Sequence, residues 1–359
     1  MRDNFNLKDL LISMEDLDAT DVHLQAGSVP AYRIKGDLEK QYEYGPISDE
    51  RLREIIFELL TERDKRTFDE KNTVDTAISI PGVGRFRISV FQQRGSIALA
   101  ARRISNQIPD FDTLHLPDAV KKIVEFPSGL VLVTGPTGSG KSSTLAAVIN
   151  NINKTRKCHI LCIEDPIEYM YKNELAIVNQ REIGIDVPSF KEALRYAVRQ
   201  DPDVILVGEI RDRDTVEFAL QSAETGHLVF GTLHSSNVSQ TISRILNFFP
   251  HSEHPSIRRS LAAHLKSVVS QLLLPSCKEG ITLIPATEIM FMNSTISRII
   301  LEEQDSKIVK AIRSARTEGM QDFELSLYNL VTEGFITKET ALEQAENPQS
   351  LDMKLRGIS

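Results

Sequence analysis

The chain has too few cysteines, too short apolar runs and too little positive charge for several broad classes of protein. Cys158, Cys162 and Cys277 are its whole thiol complement, an odd number without the paired CxxC spacing of a zinc site. The first two fall in the apolar run CHILCI, where period-2 geometry puts both on one buried face, so they read as core thiols. No stretch of about 18 apolar residues occurs, and the N-terminal MRDNFNLKDLLISMEDLDATD interrupts its apolar residues with acids. Neither a signal peptide nor a membrane span is visible, and the expectation is a cytoplasmic protein with no direct membrane span. The formal net charge is −8. No domain-sized stretch is strongly basic, so no nucleic-acid partner is expected. Internal repeats and low-complexity segments are missing as well.

What is present is an ordinary globular composition, 41% hydrophobic and 26% charged over 359 residues, long enough for two or three domains. In the first part, DVHLQAG and AYRIKGDLE alternate like strands, and Ser48 to Lys71 carries helical spacing through Leu52, Ile55, Ile56, Leu59 and Leu60. VGRFRISVFQQRGSIALAARRI reads as a hairpin with Phe86, Ile88 and Val90 on one face and Arg85, Arg87 and Ser89 on the other. The proline-containing SNQIPDFDTLHLPDAVKK breaks the pattern. This predicts an α+β domain over 1–106, a linker over 107–117, an α/β core over 118–285 and a helical C-terminal region over 286–359. In the core, GLVLVTG, HILCIED, DVILVGE and HLVFGTLH alternate with helices, the signature of βαβ crossovers and a mostly parallel, doubly covered sheet. Ser189 with Glu192 and Asp214 with Glu217 have capping-box spacing, and Gly226 stands where a helix-ending glycine belongs.

The strand-like GLVLVT leads straight into GPTGSGKSS and then a helix. Gly135, Gly140, Lys141 and Ser142 fit G-x-x-x-x-G-K-[ST], with Pro136, Thr137, Gly138 and Ser139 inside the loop and Ser143 after it. A loop that wraps backbone amides around phosphates needs residues able to take positive φ, and the following helix adds a field that favours an anion. In this reading Lys141 reaches the β and γ phosphates and Ser142 holds Mg²⁺. The guanine-reading Asn-Lys-x-Asp is absent, since NKTR lacks its aspartate, so ATP is the expected nucleotide.

Hydrolysis also needs groups on the far side of the phosphates. DPDVILVGE ends a strand in Glu209, the candidate for orienting the attacking water, with a water-mediated Mg²⁺ contact as its second role. CIEDPIEY ends another in Glu164 and Asp165, although an acid pair before proline is equally a turn signal. GHLVFGTLHSS places His227 at the start of a third strand and His234 at its end. The central module holds Arg199, Arg211 and Arg213, but Arg85, Arg87, Arg94, Arg102 and Arg103 upstream supply more positive charge. They either close over a nucleotide from this or a neighbouring subunit or form a solvated basic face.

GPTGSGKSS, IEDPIEY, NQREIG, VRQDPDVILVGE, RD and AETGHLVFGTLHS follow one another in the order and spacing of the secretion ATPase superfamily (GspE/PilT). Within it the chain resembles the type IV pilus retraction ATPases of the PilT kind, PilU included, from ATDVHLQAG to GMQDFELSLYNLVTEGFITKETAL. The resemblance implies an α/β protein with an N-terminal PAS-like α+β domain, then a RecA-like P-loop ATPase domain and a helical C-terminal tail. It implies a homohexameric ring at the pilus base, peripheral to the inner membrane beside a platform protein, driving pilus retraction and twitching motility with ATP and Mg²⁺. Gly135 to Ser142 become the Walker A loop, Glu164 the Asp-box acid, Glu209 the Walker B glutamate, and His227 with His234 the His-box pair. Arg87, Arg102 and Arg103 become nucleotide contacts. Neither a long extra N-terminal domain nor a four-cysteine zinc subdomain is visible. Where retraction ATPases carry AIRNLIRE, this chain reads TISRIILE, with Ser297 and Leu301 replacing both arginines. That departure leaves open an accessory ATP-binding subunit working with a paralogous retraction ATPase, or another motor of the superfamily.

Overall fold

In the computed structural model, which describes residues 6–105 and 107–357, the chain divides into two units. One ends at Gln107 and the other begins at Ile108, with Glu168–Met170 grouped with the first. Residue 106, the expected end of the first domain, lies outside the described residues, as do 1–5 and 358–359.

Period-2 alternation builds the first unit. Strands β1 (Ala19–Gln25), β2 (Ala31–Ile34), β3 (Asp37–Lys40), β4 (Thr73–Ile80), β5 (Gly84–Gln93) and β6 (Ser96–Ile104) pair in the order β3-β2-β1-β6-β5-β4, every pair antiparallel. Phe86, Ile88 and Val90 are buried while Arg87 between them is exposed, as alternation requires. The β5–β6 turn is Arg94-Gly95, both at positive φ (50° and 80°), which a tight two-residue hairpin turn needs. Helices α1 (Leu7–Asp16), α2 (Asp49–Phe57) and α3 (Glu62–Lys71) press Leu10, Leu11, Ile55, Ile56 and Phe68 onto the apolar face. The helical spacing from Ser48 to Lys71 is therefore two helices. Thr61 starts the second through a capping box with Asp64.

Continuous apolar runs build the second unit. Strands β7 (Gly129–Thr134), β8 (His159–Glu164), β9 (Ile177–Glu182), β10 (Val204–Val207), β11 (Leu228–Leu233), β12 (Leu265–Pro275) and β13 (Leu283–Phe291) are ordered β13-β12-β7-β11-β10-β8-β9. From β12 to β9 all neighbours are parallel, and β13 is antiparallel to β12. Every residue of β7, β10 and β11 is buried, as strands covered on both faces must be. The expected linker belongs to this unit, because Phe111 and Leu116 enter the same core as Val131 and Leu161, just ahead of the short α4 (Asp118–Lys121). Helices α5 (Lys141–Thr155) and α7 (Arg213–Glu224) pack on β7 and β11, α6 (Phe190–Ala197) on β8, and α8 (Val238–Leu246) and α9 (His254–His264) on β12. Cys162 is fully buried on β8, where burial pushes its thiol well up, while Cys158 just before the strand is half-buried.

Two boundaries differ from expectation. Residues 286–291 lie in β13, not in a helical tail. Pro285 is tolerated there because β13 is the edge strand of the sheet, where no further strand needs the N–H that proline lacks. The helical part starts later, with α10 (Ser294–Leu301), α11 (Ile308–Ser314), α12 (Phe323–Thr332), α13 (Lys338–Gln344) and α14 (Pro348–Leu355). The cap of α7 is Asp212, whose carboxylate accepts from the Thr215 amide, and Asp214 lies inside the first turn. Ser189 caps α6, accepting from the Glu192 amide. Among the described residues no helix is long and apolar enough to cross a membrane.

Replacing Asp212 by Ala should cost about 1 kcal/mol of second-unit stability, whereas Asp214→Ala should cost about 0.5 kcal/mol or less. Urea unfolding of the two variants checks which residue is the cap.

Candidate active site

In a parallel sheet the strands deliver their carboxyl ends to one edge, and here that edge collects most of the residues marked in the sequence. β7 ends at Thr134, and the loop from Gly135 to Gly140 leads into α5. Gly135, at φ 151°, has no room for a side chain. A Cβ there would stand 2.3 Å from the Gln271 carbonyl oxygen and 2.4 Å from Ser139 Oγ. Gly140, at φ 84°, is the N-cap of α5 and offers no capping side chain to the helix start. Pro136, Thr137 and Gly138 form the exposed crown of the loop, while Ser142 and Ser143 sit half-buried in the first turn.

Lys141 is buried beneath that crown and donates from Nζ to the carbonyls of Gly135 (3.0 Å) and Pro136 (2.9 Å). Ser139 Oγ is buried with no hydrogen-bond partner, an arrangement that ordinarily needs an explanation. A positive charge, an uncapped helix start and an orphaned hydroxyl in one loop fit a phosphate chain. Gln271 braces the loop from β12. Its Nε2 donates to the Ser139 carbonyl (2.6 Å) and its Oε1 accepts from Thr144 Oγ1 (3.0 Å), both contacts buried.

Glu209 follows β10, and the adjacent strand β11 brings His234. Glu209 Oε1 stands 3.2 Å from His234 Nε2, and its Oε2 accepts from Arg211 Nε at 2.6 Å. Arg211 also donates from Nη1 to Asp165 Oδ2 at 3.1 Å, so one guanidinium ties the ends of β8 and β10 together. These carboxylates, Glu209 first, hold the Arg211 charge more firmly than usual. Thr232 Oγ1 donates to the Gly208 carbonyl at 2.5 Å, locking the Glu209 turn to β11. Glu164, at the end of β8, accepts at Oε1 from Gln180 Nε2 of β9 at 3.0 Å. β11 is the immediate neighbour of β7 and β10 the next strand over, which puts Glu209 about 10 Å across the sheet from the loop strand.

His227 is not brought to this edge. It precedes β11, and its Nδ1 lies 3.0 Å from the Ser222 carbonyl and 3.1 Å from Thr225 Oγ1. A strand rising about 3.3 Å per residue separates it from His234 by roughly 20 Å. In the first unit, Arg87 is exposed on the strand face opposite the core, Arg102 Nε binds Asp21 Oδ1 at 2.7 Å, and Arg103 Nη2 binds Asp18 Oδ1 at 3.1 Å.

The family described as Type II/IV secretion system protein matches residues 85–348, more than half of the chain. The chain belongs to this family. It is 39% identical to the Type IV pilus retractation ATPase PilT of Pseudomonas aeruginosa over 96% of its own length and 99% of that protein's. It is also 39% identical to a twitching motility protein of Neisseria gonorrhoeae, over 90% of this chain and 86% of that one. A crystal structure of the pilus retraction motor PilT with bound ADP superposes with a TM-score of 0.90 at 41% identity, covering 97% of this chain and 99% of that one.

The contacts of two residues at this edge, Gln271 and Arg211, are set by tertiary structure alone. Gln271 sits in the apolar run VVSQLLL with nothing local to mark it, and only the β12–β7 register, Ser270 against Thr134, brings it to the loop. Arg211 was visible as a charge, but its bridge from Glu209 to Asp165 depends on β8 and β10 being neighbours. Gln271→Leu should leave the Ser139 carbonyl and the Thr144 hydroxyl unpartnered, destabilising the fold by about 1–3 kcal/mol. It should also weaken ADP binding roughly tenfold, the equivalent of about 1.4 kcal/mol of lost loop order. A fluorescent-ADP titration showing wild-type affinity would rule the brace out.

Proposed function

We propose that this protein is a Mg²⁺-dependent ATP hydrolase that works as the motor of type IV pilus retraction. One observation carries the reading. The glycine-lysine loop shares a sheet edge with a carboxylate that contacts both a histidine and an arginine, Glu209 with His234 and Arg211. Similarity to PilT over nearly the full length of both chains supports the same activity and the same cellular task.

In this reading Gly135 to Ser143 wrap the triphosphate, Lys141 exchanges its loop carbonyls for phosphate oxygens, and the Ser142 hydroxyl takes the Mg²⁺. The metal, when bound, neutralises charge on the phosphates. Glu209 orients and activates water, which requires its carboxylate to loosen from Arg211, while His234 fixes the carboxylate and faces the developing charge. Glu164 acts as a further acid on the same edge. His227, at the other edge, contributes to the placement of β11 and not to the chemistry.

The reading extends to a homohexameric ring peripheral to the inner membrane, in which the first unit is PAS-like, the second RecA-like, and Arg87, Arg102 and Arg103 reach a neighbouring subunit's nucleotide. A platform protein at the pilus base is the partner on which the ring works. A second reading, an accessory subunit beside a paralogous retraction ATPase, is favoured by α10 alone. There Leu301 is exposed and Ser297 half-buried where retraction ATPases carry arginines.

Glu209→Gln should slow phosphate release by about 10²- to 10⁴-fold, the usual contribution of a general base, with ADP affinity retained. Phosphate release no slower than wild type would defeat the assignment. Lys141→Ala should abolish nucleotide binding itself, read in the same titration.

A further inference from the structure

We propose that Glu288 is a positioning residue for ATP hydrolysis: from β13 it anchors the first amide of α8, and through it the turn that holds His234 against Glu209. The inference rests on the ATPase reading above and adds to it a residue two strands away from the phosphate loop.

A carboxylate on the inner side of a packed strand is unusual, and Glu288 is 2% exposed. Its Oε2 accepts from the Val238 amide at 2.7 Å. Val238 is the first residue of α8, where helix geometry leaves the amide without an internal partner and where the helix field favours a negative charge. The N-cap Asn237 has its own task, accepting from the Gln240 amide at 2.8 Å. Glu288 therefore holds a second orphan donor of the same helix end.

Only residues 235–237 separate that anchor from His234. Ser235 is tied into the helix by a 2.7 Å contact between its Oγ and Thr241 Oγ1. At the other end of the turn His234 Nε2 meets Glu209. A turn this short, spanning at most about 3.3–3.6 Å per residue, transmits a shift of α8 to the imidazole with little slack. Displacements of about 1 Å at a catalytic group are enough to cost on the order of 100-fold in rate.

The anchor also has a sensitivity. Burial pushes the Glu288 carboxyl up to about 7, with Glu346 and Asp322 pushing the same way and the Val238 amide and Arg313 pulling back. Glu288, Arg313, Asp322, Glu324, Glu346 and Ser350 line one cavity of about 110 Å³ between β13 and the C-terminal helices. Arg313 is engaged by Asp322 at 2.6 Å, and Glu346 receives Asn237 Nδ2 at 3.3 Å, so the same cavity wall touches the α8 cap twice. Ionised, Glu288 takes the Val238 amide in a charge-assisted bond; protonated, it holds that amide more weakly. For the fold the sign is opposite: an acid raised from its unfolded value costs stability as pH rises from about 4.5 towards 7. The ionised form thus favours a fixed His234 turn at some expense of global stability.

The test is steady-state ATP turnover of the full chain across pH 6 to 9, in wild type, Glu288→Ala and Glu288→Gln, with kcat, KM and ADP affinity measured separately. Glu288→Ala should lower kcat about 10- to 100-fold while ADP affinity stays within about twofold. Glu288→Gln keeps an acceptor but does not titrate, so it should recover most of the rate at neutral pH and lose the wild-type inflection near 7. Wild-type kcat in Glu288→Ala, or an equal loss of kcat and ADP affinity, overturns the proposal. If Glu288→Ala does not fold, an unchanged inflection in Glu288→Gln overturns it. A wild type without turnover at any pH defeats the ATPase reading, and this inference with it; a wild type that turns over beside indifferent variants defeats the inference alone.

Discussion

The second unit depends on parallel pairing of strands that are buried on both faces. Parallel order forces every crossover to return over the sheet, so helices cover both sides and the strands lose their polar positions. What remains polar is pushed to the strand ends. Because β7, β8, β10, β11 and β12 all run the same way, Thr134, Glu164, Glu209, His234 and Gln271 reach one edge together. The chemistry of the site is a consequence of that shared direction. His227 illustrates the other half of the rule, since it enters the same strand from the opposite end and meets only the helix behind it.

The polar groups gathered at the edge are each satisfied by another strand or loop. Arg211 spans Asp165 and Glu209, Thr232 holds the Gly208 carbonyl, Gln271 holds Ser139 and Thr144, and Glu288 holds the start of α8. The Gln271 and Glu288 contacts are buried, where each is worth more than on the surface and an unpaired partner would cost more, whereas the Arg211 pairs face solvent. The exception is Ser139 Oγ, which is buried and unpartnered inside the phosphate loop. An orphan of this kind is expected where an external anion is to be bound.

Much of the fold was legible because its signals are local. The alternation of GRFRISV requires an exposed Arg87 between buried Phe86 and Ile88, and the runs GLVLV and VILV have no polar face to expose. Where reading fell short, a tertiary contact outweighed the local pattern. The core was expected to give way to helices after residue 285, yet Pro285 stands inside β13 because an edge strand forgives a missing donor. The 107–117 segment lacked periodicity, yet Phe111 and Leu116 are core residues of the second unit. Asp214 had the right spacing for a cap, but Asp212 reaches the helix end first and closes its box with Thr215.

By itself the sequence determined what depends on neighbours along the chain: the glycines and lysine of the phosphate loop, the strands too apolar to have an exposed face, and acids and histidines flanking those strands. Tertiary structure alone decided which of them meet. Strand order and register place Gln271 under the loop, join Arg211 to two carboxylates, and leave His227 about a strand's length from His234. The reason is physical: propensity and pattern act over a few residues, whereas the pairing of β8 with β10 or β12 with β7 is settled by burying whole faces of helices and sheet at once.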